Sequence, residues 1–297
     1  MDLKNEVKNV ILSDLKNPSD IKIGIEVENI IYNEKSKRIG VNSCNPISAI
    51  ELLQILKNKK NVLENYSLEP GGQLEWASTP FENLNDLEFS IREQRKLLKD
   101  VLHKKKLKVV PFGLDPHFVP GDIELIDQER YKLMDKNMVK SGLMGQWMMR
   151  CTSSVQVNLD ASSESDMEEM VFIADSLHPI ASYLFSNSPF KKKIPAYEKN
   201  LRNIIWANTD NLRCNNLFDQ GIDSKTDLID KYINFALNVP AIFSFDRKGR
   251  AIKTKSTIGD LLMKKKENGS LNKNYILNLL RQIFTNVRIK NVVEIRG

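Results

Sequence analysis

The stretch Ile23–Ile30, "IGIEVENI", has the alternation of apolar and polar residues that is typical of a β-strand. Its apolar positions 23, 25 and 27 fall on one face, and Glu26 and Glu28 fall on the other. Side chains two residues apart on a strand lie about 7 Å from each other, so these carboxylates repel unless water, a cation or a basic group lies between them. Taken alone, such a pair is typical of solvated surface, and only oxygen ligands from other strands would make it a metal site.

Three further segments divide their residues in the same way. Together with the first strand they predict a largely antiparallel sheet, with helices on its apolar face and its polar face open. That polar face has acids and amides and no Lys, and Mg²⁺ prefers oxygen ligands of this kind. Its further members are Gln73 and Glu75 in residues 71–78, Gln156, Asn158 and Asp160 in residues 154–160, and Glu294 and Arg296 in residues 291–297.

A turn adds one more acid to this set. Glu69 stands directly before Pro70-Gly71-Gly72. Pro followed by two glycines predicts a tight reversal in which the backbone can pass close to a ligand. Alone it indicates an ordinary hairpin turn, but beside the acids of the strands Glu69 becomes a candidate metal ligand.

Segments with helical periodicity lie between the predicted strands, and this arrangement favours the α+β class. No Ser/Gly-rich linker or change of composition divides the chain, so residues 1–297 are predicted to form a single catalytic domain. The predicted helices cover residues 46–59, 83–106, 163–189, 198–208, 225–238, 257–266 and 272–285, and a further short strand lies within residues 106–114.

Composition excludes several classes of protein. With 41% hydrophobic and 28% charged residues and no apolar run near the ~18 residues of a membrane span, the chain is predicted not to enter a membrane. The first sixteen residues lack the pattern of a targeting segment, which predicts a cytoplasmic protein. The net charge is +6, but the runs at Lys104–Lys106, Lys191–Lys193 and Lys264–Lys266 are separate and not interleaved with aromatics, so no nucleic-acid partner is expected.

Five segments occur together in an order and spacing similar to those of the plant-type glutamate–cysteine ligases. They are "SLEPGGQLEWAS" (67–78), "MMRCTSSVQVNLDASSESDM" (148–167), "HPIASYLFSNSPF" (178–190), "LRNIIWANTDNLRC" (201–214) and "VVEIRG" (292–297). The resemblance covers about residues 20–297. It implies the glutamine synthetase-like fold, a curved antiparallel sheet whose concave polar face is the active site. Family members continue beyond the last segment, so the chain is expected to lack their C-terminal helical portion.

The resemblance also implies an activity. It is the ATP-dependent joining of L-glutamate, through its γ-carboxyl group, to L-cysteine by way of γ-glutamyl phosphate, which is the first step of glutathione synthesis. ATP and Mg²⁺ are the implied cofactors, because phosphate oxygens and acids on one sheet need a cation between them. The oligomeric state is not indicated.

Site residues follow by position in the matching segments. Arg296 shares a strand face with Glu294 and is implied to be catalytic, stabilising the transferred phosphoryl group. Arg202 and Trp206 are four residues apart on a predicted helix and share a face, although an Arg covering a core Trp would give the same spacing. The implied set is Glu26, Glu28, Glu69, Glu75, Asn158 and Glu294 for metal, Gln156, Asn158 and Arg296 for the nucleotide, and Thr152, Arg202 and Trp206 for glutamate.

Some alternatives remain open at this point. The residues that would select cysteine are not legible, so another ATP-dependent γ-glutamyl or carboxylate–amine ligase is possible. A non-catalytic glutamate- or nucleotide-binding remnant and a metal-dependent nuclease are the alternatives from other classes. Arg213 is left outside the site because pairing with Asp210 explains it equally well, and the three histidines are expected to lie away from the polar strands.

Overall fold

The structure is a computed structural model that describes residues 2–42, 46–59 and 65–296. No helix in these ranges is long and apolar enough to cross a membrane. The helices are α1 (Leu3–Ile11), α2 (Ala49–Lys57), α3 (Leu84–Lys104), α4 (Glu129–Ser141), α5 (Gly145–Cys151), α6 (Glu164–Leu184), α7 (Leu201–Ala207), α8 (Leu228–Asn238), α9 (Ile258–Glu267) and α10 (Lys273–Leu280). The strands are β1 (Ile23–Asn33), β2 (Asn65–Leu68), β3 (Leu74–Ala77), β4 (Leu107–Val110), β5 (Val155–Leu159), β6 (Phe190–Lys191), β7 (Ile194–Pro195), β8 (Cys214–Asn215), β9 (Ser244–Phe245), β10 (Ala251–Ile252), β11 (Phe284–Thr285), β12 (Val287–Ile289) and β13 (Val293–Arg296).

One antiparallel sheet organises the molecule and confirms the predicted α+β class. Its strand order is β12-β13-β5-β1-β3-β2, and β4 pairs with the second half of β1. The first half of β1 lies between β5 and β3, so the strand that contains Glu26 and Glu28 is central to the sheet. The last strand, β13, pairs with β5 and thereby joins the end of the described chain to the middle of the sheet.

The apolar face of the sheet is covered by helices, as its alternation predicts. Trp76 and Leu74 of β3 are buried against Leu52 of α2 in one cluster. Val293 of β13 is buried in a second cluster that includes Val171 of α6. Burial of side chains of this size contributes about 1.5–3 kcal/mol each, which fixes the face of every strand.

The predicted helix starts agree with the observed caps at two places and shift at a third. The side chains of Asn83 and Ser163 accept hydrogen bonds from the amides three residues on, so α3 and α6 begin where the capping pattern places them. The first predicted helix begins at Ala49 rather than at residue 46, because Ser48 and Glu51 form a capping box there.

The predicted helix 272–285 is wrong at its C-terminal end. α10 ends at Leu280, and β11 then pairs in parallel with β8. The buried Gln282 side chain accepts a hydrogen bond from the Ile242 amide at 2.7 Å and donates one to the Phe243 carbonyl at 3.0 Å. These bonds are made to a distant segment, so a continuous apolar run could not reveal them. Helices α1, α4 and α5, strands β2 and β12 of the main sheet and the short strands β6–β11 were not predicted.

The Glu-Pro-Gly-Gly turn joins β2 to β3 and packs against α5. The Glu69 amide donates to the Gln73 carbonyl at 2.9 Å, the Gly72 amide donates to the Glu69 carbonyl at 2.8 Å, and Gly72 has a φ of +75°. This is the pattern of a three-residue hairpin loop closed by a glycine bulge. Gln73 was predicted on the polar face, but it is buried and donates to the carbonyls of Thr152 at 2.7 Å and Met149 at 3.3 Å.

Replacing Gly71 by Ala is expected to lower the free energy of unfolding by about 1–3 kcal/mol, because an added methyl group meets backbone that cannot move aside. A Cβ at Gly71 would lie 2.5 Å from the carbonyl oxygen of Arg150. Chemical denaturation measures the change. Gly121→Ala is the matched control, since a Cβ there meets nothing within 4 Å. Equal stability of the two variants would contradict the close approach.

Candidate active site

The register of the sheet brings seven of the predicted polar residues, together with Ser67 and Arg288, into three rows on one face. Residues directly opposite each other on antiparallel strands share a face, with Cβ atoms about 5 Å apart. The first row is Ser67, Glu75 and Glu28, the second is Glu26, Gln156 and Arg296, and the third is Asn158, Glu294 and Arg288. We call these nine residues the polar rows.

Glu28 lies in the first row, and three hydrogen bonds hold its carboxylate. Its carboxylate accepts hydrogen bonds from the Ser154 amide at 3.0 Å, the Ser154 hydroxyl at 3.1 Å and Gln156 Nε2 at 3.0 Å. Burial and, to a smaller extent, the charge of Glu75 raise the pKa of Glu28 to about 7, against the opposing charges of Arg202 and Arg296. The surroundings of Glu28 therefore disfavour its charged form, and a cation bound nearby would favour that form.

Glu69 and Glu75 also lie where the charged form of a carboxyl group is disfavoured. Burial, and then the charges of Glu75 and Glu28, hold the pKa of Glu69 well above its ordinary value. Burial also raises the pKa of Glu75, although the Ser67 hydroxyl donates to its carboxylate at 2.6 Å. The turn and two strands thus place three mutually repelling carboxylates in one enclosed region, as the sequence predicts for Glu69.

These acids fit a hard divalent cation by donor type and by charge. A bound cation would lower the repulsion that raises their pKa values, and Mg²⁺ takes carboxylate oxygens while keeping several waters. As the side chains stand, the described ranges contain no group of three or more His, Cys, Asp or Glu residues placed to hold a metal ion directly. The predicted metal ligands therefore form an acidic surface in this structure, and their coordination of metal stays a prediction.

Glu294 differs from the other acids because cations surround it. It is completely buried, and its oxygens lie 2.6 Å from Arg288 Nη2, 2.5 Å from Lys290 Nζ and 2.5 Å from Arg296 Nη1. Burial alone would raise the pKa of Glu294, but these three cations hold it far below its ordinary range. Glu294 thus anchors Arg296 here, and its predicted role as a metal ligand would require it to release one of these partners.

The guanidinium group of Arg296 lies close to Glu294 and to the aromatic rings of Trp206 and Phe284. Its Nη1 donates to Gln156 Oε1 at 3.0 Å, and its guanidinium carbon lies 5.6 Å from the centre of the Trp206 ring and 5.9 Å from that of Phe284. His178 Nε2 lies 3.2 Å from the Arg296 carbonyl oxygen. The expectation that the histidines lie away from the polar strands is therefore wrong for His178.

Helix α7 places Arg202 and Trp206 beside these rows. The Arg202 guanidinium carbon lies 5.6 Å from the centre of the Trp206 ring, as the spacing of four predicts. Burial lowers the pKa of Arg202 to about 10, while the charge of Glu28 opposes that shift. Arg202 Nε and Trp206 Nε1 are buried and have no hydrogen-bond partner among the described residues. Two such donors beside a cation are suited to the carboxylate of a ligand.

Some of the remaining predicted residues lie in the polar rows, and others make structural contacts outside them. Asn158 Nδ2 donates to Glu26 Oε1 at 3.1 Å, so both are in the polar rows. The Thr152 hydroxyl instead donates to the Met148 carbonyl at 2.6 Å, and its predicted contact with glutamate stays a prediction. Arg213 Nε lies 2.7 Å from Asp210 Oδ2, which agrees with leaving Arg213 outside the site.

Five residues of the site were not predicted, and one of them is Ser67, whose hydroxyl donates to Glu75. Arg288 and Lys290 have the spacing of two that puts them on one strand face, but β12 itself was not recognised as a strand. Ser154 directly precedes β5, and its amide becomes a donor to Glu28 only when β5 pairs with β1. His178 lies inside the long helix α6, where no local pattern indicates its contact with Arg296.

Comparison with known proteins agrees with the resemblance. The family model of glutamate–cysteine ligase family 2 (GCS2) matches residues 22–297. The chloroplastic glutamate–cysteine ligase A of Oryza sativa subsp. indica is 35% identical over 240 residues, which are 79% of this chain and 48% of that protein. The chloroplastic glutamate–cysteine ligase of Arabidopsis thaliana is 35% identical over 241 residues, 79% of this chain and 45% of that one. The chain thus spans about half the length of the curated relatives it matches.

A solved structure has a similar fold. It is the glutamate–cysteine ligase of Francisella tularensis in complex with AMP, with a TM-score of 0.57, 13% identity, and coverage of 95% of this chain and 62% of that one. At this identity the likeness concerns the fold alone. The chloroplast location in the names of the plant proteins belongs to those proteins, and the cytoplasmic location of this chain stays a prediction. By its family match and its plant relatives, this chain belongs to glutamate–cysteine ligase family 2.

Proposed function

We propose that the chain joins the γ-carboxyl group of L-glutamate to the amino group of L-cysteine at the expense of ATP, giving γ-glutamylcysteine, ADP and phosphate. Family membership supports this reaction. The observation that carries it is that Glu28, Glu69 and Glu75 lie close enough to interact electrostatically with one another and with Arg296, while Arg202 on α7 interacts with Glu28. Acids for a nucleotide-bound cation and arginines for carboxylate and phosphate are the groups that this chemistry needs.

The reaction has two balanced steps. An oxygen of the γ-carboxylate attacks the γ-phosphorus of ATP, the bond from that phosphorus to the bridging oxygen breaks, and ADP leaves. The amine of cysteine then attacks the acyl carbon of γ-glutamyl phosphate, phosphate leaves, and the nitrogen loses one proton. Positioning and charge stabilisation supply most of the acceleration in phosphoryl transfer.

Arg296 is the residue proposed to act on the transferred phosphoryl group. Glu294, Gln156 and the ring of Trp206 hold its guanidinium in place, so little reorganisation is needed when negative charge develops. Mg²⁺, when bound by Glu26, Glu28, Glu69 and Glu75, would neutralise the phosphate oxygens next to these acids. ATP and Mg²⁺ are therefore the proposed cofactors.

Arg202 and Trp206 are the residues proposed to hold glutamate. Replacing Arg202 by Lys is expected to raise the KM for glutamate at least ~10-fold, because Lys keeps a charge but loses the planar fork that matches a carboxylate. Steady-state kinetics with ATP and cysteine saturating would measure it. Arg92→Lys is the matched control, since Arg92 is exposed and pairs with Glu88 across one helical turn. A KM for glutamate unchanged by the Arg202 variant would remove Arg202 from the pocket.

The proposed activity is tested by ADP release from the purified chain with ATP and Mg²⁺, in the presence of glutamate, of cysteine, and of both. The expected result is release that requires glutamate and rises strongly with cysteine. Release that needs glutamate but responds to another amine instead would indicate a different γ-glutamyl ligase. ADP release independent of both amino acids, or glutamate binding without any release, would overturn the proposal.

Mg²⁺ is expected to raise the melting temperature more at about pH 8 than at about pH 5. The folded-state pKa values of Glu28, Glu69 and Glu75 lie above their unfolded values. Their contribution to stability is therefore present below the unfolded pKa and is lost as pH rises through the folded pKa, near 7 for Glu28. Thermal scans with MgCl₂ and with KCl of equal ionic strength measure the effect. Identical shifts with the two salts would argue against a divalent site.

A further inference from the structure

The backbone carbonyl of Arg296 does not receive the hydrogen bond that regular strand pairing would give it. The register of β12 and β13, continued by one residue, places Asn286 opposite Arg296. Two such residues in a hydrogen-bonded antiparallel pair exchange both of their amide-to-carbonyl bonds. The Arg296 amide does donate to the Asn286 carbonyl at 2.8 Å, but the Asn286 amide donates to the Asn215 carbonyl at 2.7 Å. The parallel pairing of β11 with β8 accounts for this, because it brings Asn215 next to Thr285.

His178 takes the place of the missing donor. Helix α6 contacts β13, and His178 Nε2 lies 3.2 Å from the Arg296 carbonyl oxygen. A carbonyl oxygen only accepts hydrogen bonds, so Nε2 carries the proton. His178 is 6% exposed, and burial together with the charge of Arg202 lowers its pKa against the bond to the Arg296 carbonyl. The imidazole is therefore neutral and gives its one N–H to this carbonyl.

The position of this backbone bears on the guanidinium group that extends from it. Arg296 is the final residue of β13, so its carbonyl lies at the end of the strand ladder. Without the bond from His178, a carbonyl in a buried region would lose its donor and the end of β13 would be free to shift. A misplacement of a reacting group by about 1 Å can lower a rate about 100-fold.

We propose that His178 is a positioning residue, which holds the Arg296 backbone so that the guanidinium group meets the transferred phosphoryl group. His178 acts through Arg296 and touches no substrate in this role. Its effect on catalysis rests on the proposed ligase function, whereas its effect on the position of Arg296 does not. Because Arg296 is proposed to act on charge that develops during transfer, the bond from His178 affects kcat rather than the binding of glutamate.

The test compares three substitutions of His178 in the full chain. His178→Gln keeps an amide N–H near the position of Nε2, the amide of His178→Asn lies near the position of Nδ1 and falls short of the carbonyl, and His178→Leu has no donor. The Leu and Asn variants are expected to lower kcat for glutamate-dependent ADP release at least ~10-fold while the KM for glutamate changes less than ~3-fold. The Gln variant is expected to keep most of the activity. His103→Leu is the matched control, because His103 is exposed at the end of α3.

A second measurement does not depend on activity. The guanidinium carbon of Arg296 lies 5.6 Å from the centre of the Trp206 ring, so the indole N–H signal of Trp206 in a proton–nitrogen correlation NMR spectrum reports the position of Arg296. The sequence has three tryptophans, and Trp206→Phe assigns the signal. It is expected to move in the Leu and Asn variants of His178 and to stay in the Gln variant, which also lacks a ring. The signals of Trp76 and Trp147 are expected to stay in all three.

Each other result would overturn the proposal. Full kcat in a folded Leu or Asn variant, or a Gln variant as impaired as these two, would show that the bond to Arg296 does not matter. Equal movement of all three indole signals, or folding of the Gln variant alone, would make His178 a structural residue. If the unaltered chain releases no ADP with glutamate, the proposed function fails, and an unmoved Trp206 signal in the Leu and Asn variants would then overturn the positioning role as well.

Discussion

Replacing Glu28 by Gln is expected to lower glutamate-dependent ADP release by at least ~100-fold, because the central negative charge of the acidic surface is removed. Gln has nearly the shape of Glu and keeps one oxygen to accept from the Ser154 amide. The cation that the nucleotide brings would lose a ligand, while the sheet would keep its register. Steady-state assays with ATP, Mg²⁺, glutamate and cysteine measure the loss.

The same substitution is expected to raise the melting temperature at about pH 8 in the absence of metal. At that pH the unaltered Glu28 is charged, and its pKa of about 7 shows that burial disfavours the charge. Lower activity together with higher stability separates a functional residue from a structural one. Glu88→Gln, at a residue with a 61% exposed side chain, is the control and is expected to change neither property appreciably. Full activity in the Glu28 variant would remove Glu28 from the metal site.

Replacing Glu294 by Gln is expected to lower the free energy of unfolding by about 3–5 kcal/mol, the largest stability effect expected in this chain. The carboxylate of Glu294 is completely buried and bound by Arg288, Lys290 and Arg296. An amide cannot neutralise these cations, so their like charges would face one another in a region with little water. Urea denaturation at neutral pH measures the change.

The pH dependence of that loss gives an independent check. The pKa of Glu294 is lower in the folded chain than in the unfolded chain. Its contribution to stability is therefore present above the unfolded pKa and is lost as pH falls toward the folded pKa. The difference between the unaltered chain and the Glu294 variant should shrink in acid. Glu88→Gln breaks only an exposed pair and should cost less than ~1 kcal/mol at any pH. A Glu294 variant as stable as this control would contradict the buried cluster of cations.

These two glutamates act on Arg296 in different ways. Glu294 holds its guanidinium at 2.5 Å, whereas Glu28 belongs to the acids that would face the nucleotide. The Glu294 variant is therefore expected to misplace Arg296 as well as to destabilise the fold. Its residual activity, measured at a temperature where it remains folded, reports how much the position of Arg296 matters.

The sequence predicted the sheet well because strand alternation is a local property. Because side chains alternate along a strand with a period of two, Glu26 and Glu28 lie on one face of the strand and Ile25 and Val27 on the other, independently of the rest of the chain. The caps at Asn83 and Ser163 are equally local, and both helix starts were predicted correctly. Helix 272–285 failed at its end because a contact of Gln282 with residues 242 and 243 ends the helical region.

The sequence by itself determined which residues share the polar face, and the resemblance added their proposed roles. Only the tertiary structure decided their charge states, since these depend on distances across strands that are far apart in sequence. Glu28 and Glu294 are both strand glutamates on one face, yet burial among acids raises the pKa of the first and a cluster of cations lowers that of the second. Arg288 reaches Glu294 because the β12–β13 pairing places them opposite each other. Alternation along a strand determines the face of the sheet on which each side chain lies, but neutralisation of its charge requires partners that only folding brings near.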